Sequence, residues 1–207
     1  MKFEKKYLFN KVYEKNLIYN LYKNKFKFLD EYTVDSIYFD TPDFKLARQN
    51  LLGLNNRYKI RFRSYSGNSL YTKEKLNNKL FLEKKIKNFN RVFKERFEIK
   101  NIQLFNHESL IKKHLKLQNI FIKTIRTKYS RKRFINIFKN IEITLDNDLL
   151  IYCPLKNLEY RDRSIIVLEK KFKDLKDNQD LFYKSNQKFS KYLYGLKRSG
   201  FIKEYFY

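Results

Sequence analysis

The stretch Arg57-Tyr58-Lys59-Ile60-Arg61-Phe62-Arg63-Ser64-Tyr65 places a cation at every odd position through 63, with Tyr58, Ile60 and Phe62 between them. Side chains alternate across a strand, so this segment predicts a β-strand with one basic face and one apolar face. For one strand, that pattern also fits a solvated sheet edge that uses charge against aggregation.

The pattern recurs. Glu83 and Lys85 share a face opposite Leu82 and Ile86, and Lys94 and Arg96 share one opposite Phe93 and Phe97, which are expected to pack outward against helices. Glu4 pairs in phase with Lys6, Tyr129 with Arg131, and Glu169 with Lys171. If all these faces met solvent, the opposite faces would form one core under a half-open sheet. A closed barrel with a wet, charged lumen satisfies both faces.

Cations gathered inside such a lumen repel one another, by about 4 kcal/mol per pair at about 4 Å and an effective dielectric near 20. A polyanion turns that repulsion into attraction. Arginine forks make paired hydrogen bonds to phosphate oxygens, and lysine supplies movable point charge. The interspersed Glu4, Glu83 and Glu169 read in two ways: as oxygen ligands for Mg²⁺ or Mn²⁺ beside phosphates, or as ion-pair partners across strands.

The 47 Lys and Arg against 22 Asp and Glu leave a net charge of +25, which also points to an anionic partner. Abundant Lys, Asn, Ile, Phe and Tyr beside only 4 Gly and 2 Pro is the signature of AT-rich codons, so the placement of arginines carries more information than the total. A lone Cys153 rules out a disulfide framework or a cysteine metal site, and two histidines are too few for a histidine-rich centre. The charged start Met1-Lys2-Phe3-Glu4-Lys5-Lys6 and the lack of any apolar run near 18 residues lead us to expect no transmembrane segment and a cytoplasmic location.

With no linker and no repeat, one domain over residues 1–207 is expected. Strands are expected over 3–9, 32–40, 57–65, 80–87, 91–99, 120–131, 132–138, 140–146 and 164–172, and helices over about 11–25, 42–49, 103–118 and 178–198. In the first helix Val12, Leu17, Ile18, Leu21 and Tyr22 share a face. Short turns at Ser66-Gly67-Asn68, Asn88-Phe89-Asn90 and Asp146-Asn147-Asp148 force antiparallel pairing, giving an α+β chain built on an antiparallel barrel. Ser190 before Lys191 and an apolar-periodic stretch reads as a helix N-cap, where free N–H groups suit either structure alone or a phosphate.

Several motifs occur in order: Phe3-Glu4-Lys5-Lys6-Tyr7, Ser36-Ile37-Tyr38-Phe39-Asp40-Thr41-Pro42, Arg57 to Tyr65, Phe81-Leu82-Glu83-Lys84-Lys85, Arg126-Thr127-Lys128-Tyr129-Ser130-Arg131, Val167-Leu168-Glu169 and Phe189-Ser190-Lys191-Tyr192. This series resembles the VTC domain, the polyphosphate polymerase branch of the triphosphate tunnel metalloenzyme superfamily, over nearly the whole chain. The resemblance implies an eight-stranded antiparallel tunnel with flanking helices that transfers the γ-phosphoryl of ATP to a growing polyphosphate, with Mn²⁺ or Mg²⁺ as cofactor. By position it implies Lys6, Arg61, Arg63, Lys85, Lys94, Arg131 and Lys191 as the catalytic phosphate-gripping cations, supported by Lys59, Arg96, Arg126, Tyr129, Lys171 and Ser190. It implies Glu169 as the metal ligand, with Glu4 and Glu83 as further candidates.

Two departures stand out. Glu142 occupies a place where the family usually carries arginine, which removes one phosphate contact. Eukaryotic relatives carry regulatory and membrane segments that this chain lacks, so a separate membrane protein is the implied partner for export, with the domain held near the membrane through it. A tunnel triphosphatase is the competing enzyme reading; it normally relies on an N-terminal Glu-x-Glu-x-Lys, and Lys2 stands at the first glutamate's place. A third reading, a binder of polyphosphate or RNA with the aromatics as stacking platforms, is weakened because the aromatics mostly alternate onto the faces opposite the cations, so no nucleic-acid partner is expected.

Overall fold

A computed structural model describes residues 3–66, 79–89, 91–99, 107–173 and 189–202. The elements run β1 (Phe3–Asn10), a 3-10 turn (Lys11–Tyr13), α1 (Glu14–Lys23), β2 (Lys27–Asp40), α2 (Lys45–Leu51), β3 (Asn56–Ser66), β4 (Leu80–Asn88), β5 (Arg91–Ile99), α3 (His107–Leu115), β6 (Ile122–Asn136), β7 (Ile141–Cys153), β8 (Leu158–Asp162), β9 (Ile165–Phe172) and α4 (Lys191–Arg198).

The strands form one nine-stranded sheet in the order β1-β9-β7-β6-β2-β3-β4-β5, with β8 attached to β7, and the pairings are antiparallel. The expected eight-stranded closed barrel therefore needs correction. Among the described residues no ladder joins the outermost strands β1 and β5, and a short ninth strand is added. The sheet nevertheless curls until side chains of β1 and of β4, next to the other end, meet, Lys85 donating to Glu4 at 2.8 Å.

The expected break between 131 and 132 does not occur. β2 and β6 are long partners that register Tyr32 on Arg131 and Val34 on Tyr129, with register shifts only near the two ends, between Phe28 and Asp30 and between Tyr38 and Phe39. The expected turn at Asp146-Asn147-Asp148 lies inside β7. Its turn chemistry produces a bulge instead: the register with β6 shifts between Lys128 and Ser130, and Asp148 takes a left-handed φ of 52°. The expected turns at Ser66-Gly67-Asn68 and Asn88-Phe89-Asn90 fall partly outside the described residues, as do residues 103–106 and 178–188 of two expected helices.

α1 and α3 pack on the outer faces of the sheet. Leu17 and Leu21 of α1, one turn apart, bury against Tyr7, Ile143, Leu145 and Leu168. Val12 and Tyr22, expected on the same apolar face, are exposed; Val12 sits in the 3-10 turn that precedes α1, out of phase with Leu17 and Leu21. On the other flank Ile111 and Leu115 of α3 pack with Ile60, Phe62 and Leu82, and Phe97 meets His114 at 5.2 Å. Phe93, expected to pack likewise, is half exposed.

The helix opened by Pro42 starts later than expected, at Lys45, after Phe44 in a left-handed conformation. Asp40 caps it by accepting from Leu46 N and Ala47 N, each at 2.8 Å, and also accepts from Tyr192 Oη at 2.6 Å. That carboxylate thus ties α2 to α4. α4 itself sits within the curl of the sheet, with Tyr192, Leu193, Tyr194 and Leu196 buried among Ile125, Leu149 and Ile151.

Candidate functional site

The concave face of the sheet encloses a cavity of about 520 Å³. Ten cations line it: Lys6 from β1, Lys59, Arg61 and Arg63 from β3, Lys85 from β4, Lys94 from β5, Arg131 and Arg133 from β6, Lys171 from β9 and Lys191 at the start of α4. Glu4, Glu142, Glu169, Ser190 and the tyrosines 32, 38, 65 and 129 complete the polar wall. The alternation read in β3 puts Lys59, Arg61 and Arg63 on this wall while Ile60 and Phe62 face α3.

Two buried carboxylates organise the arginines from behind. Glu83, fully buried, accepts from Arg61 Nε and Nη2 at 2.9 and 2.7 Å and lies 3.3 Å from Lys94, 3.1 Å from Arg96 and 4.0 Å from Arg63. Burial pushes its carboxyl up, but Arg61, Arg63 and Lys94 outweigh that and hold it far below the ordinary range. Asp146 plays the same part on β7. It accepts from Arg131 in a paired fork at 2.6 and 2.7 Å and from Lys191 at 2.6 Å, linking β6, β7 and the first turn of α4.

A looser cluster occupies the β1–β9 side. Glu4 lies 3.0 Å from Lys6 and 2.8 Å from Lys85. Burial and neighbouring Glu169 push the Glu4 carboxyl up, yet Lys6 and Lys85 prevail and bring it down to about 2. Glu169 is opposed by burial and held well below its ordinary value by Lys171, Lys6, Lys85 and Arg131. Lys171 bridges Glu142 at 3.0 Å and Glu169 at 3.6 Å. Glu142 thus faces the cavity at the place where the family's arginine was expected, and there it neutralises a lysine.

Lys59 differs from its neighbours. Among the described residues it is the lining cation for which no carboxylate lies within ion-pair distance; its ammonium donates to Ser190 Oγ at 2.6 Å. Burial, then Lys6, Lys85 and Arg61, push its pKa well below the usual lysine value. Tyr38, stacked on Tyr192 at 5.0 Å, accepts from Arg61 at 3.3 Å. Burial raises the phenol, but Arg61 and Arg63 bring it down to about 8.

Counting the carboxylates that touch the lining cations (Glu4, Asp30, Glu83, Glu142, Asp146, Glu169), ten basic side chains face six acidic ones. The surplus of four matches an anionic occupant.

Most of the expected site residues converge here, with three exceptions. Arg126 lies on the outer face, half exposed and forked onto Asp35 at 2.6 Å. Its even position against Tyr129 and Arg131 already placed it opposite them. Arg96 stands behind the wall, its guanidinium 3.8 Å from the Phe81 ring and donating to Tyr65 Oη at 2.9 Å. Glu83 also lies behind the wall, where its ion pairs take the second of the two readings open to it. Sequence reasoning missed Asp146, hidden by its turn-like neighbours, and Arg133, which shares the odd phase of Arg131 and forks onto Asp30 at 2.7 Å. It also placed the aromatics too uniformly on the outer face.

For a divalent cation, no three Asp, Glu, His or Cys side chains among the described residues form a ready-made cage. Mg²⁺ and Mn²⁺ beside phosphates need only one or two protein carboxylates. Glu169 and Glu4, both ionised and close enough to repel, fit that need. Thr144, paired with Glu169 across β7 and β9, adds a buried hydroxyl with no hydrogen-bond partner.

Among solved structures, the fold is similar to the PH1819 protein of Pyrococcus horikoshii OT3, with TM-score 0.58 and 15% identity over 96% of this chain and 99% of that one. It is also similar to a candidate adenylate cyclase of Bacillus halodurans, with TM-score 0.53 and 14% identity over 86% and 83% of the two chains. At such identities the likeness concerns the fold, an antiparallel tunnel architecture. No curated protein matches the chain. The model of the VTC domain matches residues 4–199, nearly the whole length, on the strands and helix that build this cavity, and the chain belongs to the VTC domain family.

Proposed function

We propose that the cavity binds the triphosphate of ATP with Mn²⁺ or Mg²⁺ and passes the γ-phosphoryl to a polyphosphate chain lying in the same basic trough. The observation that carries this reading is the surplus of lining cations over carboxylates around a cavity of about 520 Å³. Phosphoryl transfer asks little covalent chemistry of the protein; fixed positive charge and alignment do most of it.

Arg61, Arg63 and Arg131, held in place by Glu83 and Asp146, meet phosphate oxygens with preset forks and little entropy to lose. Lys6, Lys85 and Lys94 supply adjustable charge along the chain. Lys59 and Ser190, already bonded to each other beside the first turn of α4, receive an end phosphate. Glu169, with Glu4, would hold the metal, which when bound draws charge from the phosphate oxygens. An unseen membrane protein would take the polymer onward.

Glu4, Glu142 and Glu169 together give the wall more acid than a polymerase reading calls for, and this favours hydrolysis of a triphosphate as the second reading. Purified protein given ATP and Mn²⁺ is expected to make polymer that an exopolyphosphatase degrades, with Glu169→Gln slower by about a hundredfold or more. Free phosphate without polymer would shift the reading to triphosphatase; untouched ATP and untouched inorganic triphosphate would sink both.

A further inference from the structure

The end of the sheet farthest from α4 carries a feature that the cavity chemistry leaves unused. At the turn joining β6 to β7, Ile137 and Phe138 project with 66% and 87% exposure. Asn136 beneath them donates to Asn24 O at 3.1 Å, so this turn stands beside the α1–β2 connection. Phe28, half exposed, and Tyr22 flank it through edge contacts with Phe134 at 5.5 and 6.1 Å.

Lysines surround this apolar tip. Lys23, Lys25 and Lys27 on the α1–β2 side and Lys139 on the hairpin are all exposed. No Asp or Glu occurs from 15 to 29 or from 134 to 141. Isolated exposed apolar residues are ordinary, but two adjacent large ones at a protruding turn, with lysine the only charged residue type over 15–29 and 134–141, form an amphipathic surface. Its chemistry complements an anionic lipid leaflet: apolar side chains enter the acyl boundary while lysine ammoniums meet headgroup charge.

The position adds to this. β6 carries Ile125 against α4 at one end and Asn136 at the other, about 35 Å apart at strand rise. Arg133, Glu142 and Lys171 of the cavity wall belong to the same far end, Glu142 registering with both Ile135 and Lys171. We infer that this tip docks on an anionic membrane surface, with the end of the basic cavity away from α4 turned toward the bilayer.

Co-sedimentation of the full chain with phosphatidylcholine vesicles containing about 30% phosphatidylglycerol tests this. Binding is expected to the mixed vesicles, to fall as salt rises, and to be absent with phosphatidylcholine alone. The double variant Ile137→Ser with Phe138→Ser keeps every charge, and its binding is expected to drop about tenfold while its melting temperature and its retention of inorganic triphosphate stay unchanged. Undiminished binding by that variant would overturn the proposal, since net charge alone would then account for the attraction. So would a wild-type protein that ignores vesicles, or one that prefers RNA to them. Loss of triphosphate binding by Arg61→Ala, with vesicle binding kept, separates this surface from the cavity reading.

Discussion

Glu83 shows how a single buried charge makes a phosphate site possible. Four cations converge on it, and its charge offsets the repulsion between Arg61 and Arg63. Removing one partner of a buried charge network leaves the rest uncompensated, at a cost of about 3–5 kcal/mol. Glu83→Gln should therefore lower the melting temperature sharply. Because a polyanion can replace the missing charge, inorganic triphosphate should raise the melting temperature of the variant by more than that of the wild type. Equal shifts would show that Glu83 does not stand in for a ligand. Phase along the strand was readable in the sequence, and it predicted the inward faces of β3, β1 and β9. It could not tell a carboxylate that lines the cavity from one that props an arginine from behind, since both lie on the same face. The same rule of alternation, applied to β6, excludes Arg126 and admits Arg133.

At the scale of elements, α4 is the part whose placement matters most and was least visible. Ser190 was legible as its cap, and the hydroxyl does accept from Leu193 N at 3.3 Å, while also accepting from Lys59. Nothing in the local pattern says that the helix enters the curl of the sheet. The long-range clue is Gly195, where an added Cβ would lie 2.6 Å from Ile125 Cγ2 and 3.3 Å from Ile151 Cγ2. Only a hydrogen there lets helix and strands approach. Gly195→Ala would ordinarily favour a helix by roughly 1 kcal/mol. Here overpacking dominates, and a net loss of about 1–3 kcal/mol is expected in denaturant unfolding. Because α4 carries Ser190 and Lys191, the same change should weaken triphosphate binding. A variant as stable as the wild type would mean that the helix moves freely within the sheet. β8 and the β7 bulge escaped sequence reading for a related reason. Five residues are too few for periodicity, and Asp146-Asn147-Asp148 carries the composition of a turn while the strand on both sides holds it extended.

For the whole molecule, charge couples the cavity to acid stability. Glu4, Glu83, Asp146 and Glu169 all bind protons more weakly folded than unfolded. Their stabilisation is complete above their ordinary values near 4 and is lost as pH falls toward the depressed value of about 2 at Glu4. Melting temperature should hold steady near neutrality and drop progressively from about pH 5 to pH 3, and Glu4→Gln should flatten part of that slope. A melting temperature independent of pH across this window would contradict the pairing. No described helix is long and apolar enough to cross a membrane.

The junction between the first strand and the far edge of the sheet has a mechanical meaning. A closed ladder fixes the bore of a tunnel by strand number and shear. Here, among the described residues, β1 meets β4, one strand in from the far edge, where Lys85 reaches Glu4, a seam of side chains and not of backbone. Because no backbone rung among the described residues spans that seam, the width there is set by the length and charge of two side chains and not by strand number and shear.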